Sequence, residues 1–209
     1  MSKPTPTDSR VVSRWTVPLL IAALALASAL VVALGWQLHQ ARENQRWLSQ
    51  RATQPYIGMY VPRIAMTSLD GASRHLGEPA ADYQVLYFFT TGCPHCRASA
   101  PLVKAIAGQL EAASGGRAEM LGIALDPPAA AGAYAREHGF AFPVIASQDR
   151  RSAMLFRARN VPLLLVIGRD GRVRYARVGA INTKEGVNGV LTAVRRKEAS
   201  PAGPTTKES

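Results

Sequence analysis

Cysteine is scarce: the chain of 209 residues holds two. Two cannot build the disulfide framework of a small secreted scaffold, and a structural zinc site needs four ligands. Histidine is also thin, and His39, His75, His95 and His138 are scattered along the chain. Acidic residues number 14 against 25 Lys and Arg, for a formal charge of +11. Aromatics make up only 7% and do not alternate with the basic residues, so the stacking surface of a nucleic-acid binder is missing. The charge therefore reads as a solvated surface with basic flanks, and no nucleic-acid partner is expected. The sequence also lacks internal repeats.

Apolar residues are plentiful, at 47%, enough for a core that needs no covalent staples. One run stands apart. Residues 15–36, "WTVPLLIAALALASALVVALGW", contain no charge. As a helix they extend about 33 Å, the thickness of a bilayer's hydrocarbon core. Tryptophan closes each end, as interfacial residues do. A cleaved signal peptide is the competing reading, with "ALG" at 33–35 as its site. The run exceeds the roughly 7–15-residue apolar segment of such peptides, so a retained signal anchor in the inner membrane is expected.

Lys3, Arg10 and Arg14 precede the span, and Arg42, Arg46 and Arg51 follow it, a near-even balance. The leading segment is short, and large following domains translocate largely regardless of charge. The expected layout is a cytoplasmic tail (1–14), the anchor (15–36), a juxtamembrane linker (37–55), a domain (56–196) facing the periplasm or cell exterior, and a disordered tail (197–209).

Within the domain, strand and helix patterns alternate. "IAMTSLDG" reads as a short strand entering an Asp70-Gly71 turn, and "YQVLYFFT" (83–90) as a buried strand. A helix over 94–113 is stopped by Gly115-Gly116, then a strand covers 118–125. A helix from Pro127-Pro128 ends at Gly139, before a short strand (142–147) and a short helix (150–158). "PLLLVIGRDGRVRYARVG" reads as a hairpin, and "TKEGVNGVLTAVRRK" as a closing amphipathic helix. This order makes an α/β sandwich with a mixed sheet. The loop after strand 83–90 lies where open α/β sheets place their chemistry.

Both cysteines fall in that loop, as "CPHC" at 93–96. With Cys93 at the start of the helix, Pro94 takes the first helical position, where a missing N–H costs nothing. Cys96 follows one turn later, within reach of a disulfide. Backbone N–H groups and the helix dipole favour a Cys93 thiolate, the form that attacks disulfides. An imidazole at His95 is expected to favour it further. The scale of such tuning is large. Thioredoxin lies near −270 mV and DsbA near −120 mV, a gap of about 7 kcal/mol. The residues between the cysteines thus help decide whether such a site gives or takes electrons.

The segment from Ile57 to Arg196 resembles membrane-anchored thioredoxin-fold thiol–disulfide oxidoreductases of the TlpA/ResA type. The matching features are Gly58, Pro62 and "SLDG", the CxxC after "LYFFTTG", and "NVPLLLVIGRDGRV", with Pro162 lying 66 residues beyond Cys96. "RVGAINTKEGV" is similar to MauD-type accessory proteins. The resemblance implies a thioredoxin-like sandwich whose catalytic cysteines are Cys93 and Cys96. It also implies that the Val161–Pro162 bond is cis and beside them, with the Val161 backbone pairing to an extended substrate segment. The Pro94-His95 dipeptide and Val161 before the proline are similar to the oxidase DsbA. Soluble thioredoxins and DsbA carry a buried carboxylate where this chain has Tyr87, so Cys96 lacks that proton acceptor. The redox-active Cys93–Cys96 disulfide is expected to serve without a further cofactor or metal. Expected partners are client proteins with thiols or disulfides and a membrane or periplasmic redox partner.

Three rivals stand against this reading. An incidental cysteine pair conflicts with its exposed placement in an exported domain. Copper delivery suits thiolate and imidazole ligands, with His138 a conceivable third, but the similar copper chaperones space their cysteines CxxxC. A peroxidase would share Thr90, three residues before Cys93, but that family's proline stands where this chain has Leu86. The expected function is exchange with clients, oxidation slightly favoured, and reduction in cytochrome or oxidase maturation as the alternative.

Overall fold

The structure, a computed structural model, describes residues 16–195. The expected tails 1–14 and 197–209, with Trp15 and Arg196, lie outside the described residues. The chain divides into two units, one ending at Ala52 and one beginning at Thr53.

The first unit holds one helix, α1, Thr16–Thr53. Its stretch Pro18–Arg42 is long and apolar enough to cross a membrane. Leucines on every side of it are exposed, as are Val31 and Trp36. A helix that is apolar all round suits an apolar surrounding. The segment expected as a linker continues this helix without a break to Thr53.

The second unit is built on β3, Tyr83–Phe89, whose seven residues are all buried. Such a strand must be covered on both faces. Tyr83, Val85, Tyr87 and Phe89 point into one core, and Leu86 and Phe88 into another. This is the period-two alternation of a strand, with apolar residues on both sides. The first core is closed by α2 (Pro94–Ser114), α3 (Pro128–His138) and α5 (Lys184–Arg195). The second is closed by α4 (Arg150–Leu155), with Phe156, and by Met59, Val61 and Leu76.

Five strands form the main sheet, in the order β5 (Val144–Ala146), β4 (Ala118–Ala124), β3, β6 (Leu163–Gly168) and β7 (Val173–Val178). β3 runs parallel to β4 and antiparallel to β6, so the sheet is mixed. A separate hairpin joins β1 (Ile64–Thr67) and β2 (Ser73–Leu76). The second strand of that pair escaped the sequence reading, because "SRHL" carries no apolar alternation. The helix expected over 150–158 is shorter: Phe156 caps it, and Arg157 adopts φ 54°. The strand expected over 142–147 shrinks to Val144–Ala146.

Register decides what meets at the sheet's working end. Phe88 pairs with Leu163, so Pro162, one residue earlier, stands at the end of β3. On β3's other side Phe89 pairs with Ala124, bringing the segment after β4 level with Thr90 and Thr91.

Candidate functional site

Three chain segments meet past the end of β3. The first is the loop "TTGC", which leads into α2 at Pro94. Cys93 is the N-cap, extended at φ −80° and ψ 119°, and Pro94 opens the helix as expected. The amides of Cys96 and Arg97 both donate to the Cys93 carbonyl, at 3.1 Å each. The two cysteines are free thiols here, Cys93 half-buried and Cys96 fully buried.

The second segment precedes β6. The Val161–Pro162 peptide is cis. The Cys93 thiol donates to the Val161 carbonyl at 3.8 Å, so Cys93, Val161 and Pro162 are brought together. Val161 is only partly buried, packing against both cores. Upstream, the Arg157 guanidinium sits over the Tyr56 ring at 5.2 Å and donates to the Gln54 carbonyl at 3.3 Å. The loop before the cis bond is thus fastened to the start of the domain.

The third segment follows β4. Leu125 donates its amide to Phe89 at 2.9 Å, and the Asp126 carboxylate then accepts the Thr91 amide at 2.7 Å. Arg97, on α2's exposed side, donates from Nε to the Thr91 carbonyl at 3.2 Å. The approach to Cys93 is therefore held from both flanks.

Beneath the cysteines lies an aromatic floor. Tyr87 stacks on Phe89 at 5.1 Å, and Phe89 on Tyr134 at 5.0 Å. The Tyr87 hydroxyl donates to the Cys96 carbonyl at 3.4 Å, which places this residue under the helix's first turn. The Tyr134 hydroxyl is buried without a hydrogen-bond partner. Burial pushes both tyrosines above their ordinary range, and the nearby cysteines add to it.

Burial also pushes the Cys96 thiol up to about 12; the Thr90 backbone opposes this, and Cys93 and the Asp126 carboxylate reinforce it. At neutral pH Cys96 is a protonated thiol, and Cys93 is the sulfur that solvent reaches. Such a pair can accept an incoming disulfide at one sulfur and resolve it with the other.

His95, expected beside the thiol, is exposed on the helix's first turn, and its carbonyl accepts the Ser99 hydroxyl at 2.7 Å. His138 lies against Tyr134 at 4.2 Å between ring centres. Among the described residues no three of His, Cys, Asp or Glu gather closely enough to hold a metal ion. Sequence reasoning passed over Asp126, Tyr134 and Ser99. For Asp126 a signal existed, since it lies just past a strand's carboxyl end, where α/β sheets place chemistry. For the other two, only the packing of α3 and α5 reveals the role.

The AhpC/TSA family profile matches residues 57–176. No curated protein matches the chain. Among solved structures, the peroxidoxin BcpB from Mycobacterium tuberculosis is similar at 19% identity, with 68% of this chain and 97% of that one covered and a TM-score of 0.57. The thioredoxin domain of a thiol-disulfide oxidoreductase from Bacteroides vulgatus is similar at 16% identity, with coverage of 66% and 98% and a TM-score of 0.56. MTB dsbF, in mixed oxidised and reduced forms, is similar at 25% identity, with coverage of 64% and 98% and a TM-score of 0.52. The fold is thioredoxin-like, as expected.

Proposed function

Because the chain belongs to the AhpC/TSA family of oxidoreductases, we propose that it is a membrane-anchored thiol–disulfide oxidoreductase working outside the cytoplasm, with Cys93 meeting clients and Cys96 resolving. The observation that carries this is the asymmetry of the pair. Cys93 is half-exposed at a helix N-cap against the Val161 carbonyl, and Cys96 is sealed beneath it. The backbone of Val161, a partly buried residue, pairs with an extended client segment, and Pro162 fixes its direction.

In the oxidising direction a client thiolate attacks Cys93 of the disulfide, and Cys96 leaves and takes up a proton. A second client thiolate then attacks the client sulfur of the mixed disulfide. The client gains a disulfide, and two electrons and two protons reside on the cysteine pair. Reduction is the reverse: Cys93 attacks a client disulfide, one client sulfur leaves, and Cys96 displaces the other. Pro94-His95 and Val161 favour oxidation. The alternative is a reductant in cytochrome or oxidase maturation, and a membrane or periplasmic redox partner restores the pair in either case.

Trapping tests the role assignment. With reducing-type clients, Cys96→Ala accumulates covalent complexes through Cys93 while wild type turns over; their absence rejects the roles. Peroxide reduction is a second reading, favoured by the similarity to a peroxidoxin and by Thr90. It requires Cys93 to form a sulfenic acid at a rate that outpaces its exchange with disulfides. Copper delivery is disfavoured by the CxxC spacing, where the similar copper chaperones have CxxxC.

A further inference from the structure

Resolution requires Cys96 to lose a proton that burial makes it keep. Tyr87 stands six residues before Cys93 and offers no carboxylate, so the acceptor must come from elsewhere. We propose that Asp126 takes the proton from Cys96 when the buried thiol resolves a mixed disulfide, and returns it when the Cys93–Cys96 disulfide is opened; this rests on the exchange reaction above.

The geometry brings the carboxylate there by register. β4 ends at Ala124 opposite Phe89, Leu125 makes one further bond to Phe89, and Asp126 comes level with Thr91. Its Oδ2 accepts the Thr91 amide at 2.7 Å, two residues before Cys93. Adjacent residues of one turn hold the two groups: the Thr91 amide donates to the Asp126 carboxylate, and the Thr90 backbone hydrogen-bonds the Cys96 sulfur. Asp126 is half-buried.

The other groups around Cys96 are poor acceptors. Tyr87, from β3, has its hydroxyl on the Cys96 carbonyl, and Tyr134 comes from α3. Both are pushed to hold their protons. Arg97, from α2, is a cation whose Nε already donates to Thr91. His95 is exposed on the helix's outer surface, and His138 lies behind the Tyr134 contact in α3's last turn.

The step balances. Cys96 Sγ gives its proton to Asp126 and its electron pair to the Cys93 sulfur. The Cys93–client bond breaks, and the client leaves as a thiolate that is later protonated. The client disulfide is reduced by two electrons, and the cysteine pair is oxidised by two.

Ellman's reagent separates the two steps in the full chain in detergent. The first thionitrobenzoate is released when Cys93 attacks, the second when Cys96 resolves. Asp126→Asn keeps an acceptor for the Thr91 amide but cannot take a proton. It is expected to leave the first phase unchanged and slow the second roughly 100-fold at neutral pH. The pH profile gives an independent readout. The second phase in Asp126→Asn is expected to climb tenfold per pH unit, a dependence that the wild type lacks. Asp126→Ala reports the lost hydrogen bond separately.

A wild-type second phase in Asp126→Asn, with only Asp126→Ala impaired, would reduce Asp126 to a loop anchor and overturn the proposal. So would an equal loss in His95→Gln or His138→Gln with Asp126→Asn unaffected. A missing first phase in wild type would instead reject the exchange reaction itself.

Discussion

Ser99 faces the interior on α2, one turn beyond Cys96, and holds two segments together. Its hydroxyl donates to the His95 carbonyl at 2.7 Å and accepts the Ile181 amide at 2.9 Å. Alanine there leaves a buried amide unpaired, a cost of about 1–3 kcal/mol. Denaturant unfolding of Ser99→Ala should show a lower midpoint at unchanged slope; an unchanged midpoint would mean water replaces the hydroxyl. Tyr87→Phe should be mild. The bond it removes is long, at 3.4 Å, and the ring keeps its stacking on Phe89, so a loss of about 1 kcal/mol or less is expected by the same measurement. The cysteine pair was legible in the sequence because local spacing carries its meaning, whereas the place of Pro162 beside it came from the family resemblance. Tyr134 was not legible, because helix docking alone brings it under the cysteines, and Asp126 carried only the faint signal of its place just past a strand, since register is what sets it on the Thr91 amide.

At the level of elements, Gln84 joins the β1–β2 hairpin to the sheet. It is fully buried, accepts the Gly77 amide at 2.8 Å, and donates to the His75 carbonyl and the Glu119 carboxylate, each at 2.8 Å. Gln84→Leu strands the Gly77 amide and the His75 carbonyl, so stability should fall by about 2–4 kcal/mol. Hydrogen exchange should quicken in β1 and β2 first; uniform quickening would deny the local role. Gly77 itself cannot change, since at φ +81° a Cβ would meet the Pro62 carbonyl at 2.3 Å. Element ends were readable where glycine sets them. Gly115 and Gly139 adopt the left-handed conformation just past α2 and α3, as their positions announced. β2 was unreadable because "SRHL" carries no apolar alternation, with Leu76 alone entering the core. α4 ended early because Phe156 turns into the second core.

For the whole molecule, α1 and the domain raise separate questions. The fold class could be read from the alternation of strand and helix patterns, whereas charges around the apolar run barely distinguish its two orientations. A phosphatase active only outside the cytoplasm, fused after Ser209, should be active, and a cytoplasm-dependent reporter at the same point silent. The reverse pattern would move the domain into the cytosol. The reduction potential of the full chain then fixes its direction. A value near −120 mV supports an oxidant, and one near −270 mV the maturation reductant.

The account depends most on the division of labour between two sulfurs one helical turn apart. Its most direct test is alkylation of the reduced full chain across a pH series, with each cysteine read by mass spectrometry. Iodoacetamide is expected to modify Cys93 at neutral pH and to leave Cys96 untouched until the pH approaches about 12. Modification of Cys96 first, or of both at equal rates at neutral pH, would contradict the assignment of Cys93 as nucleophile and Cys96 as resolver.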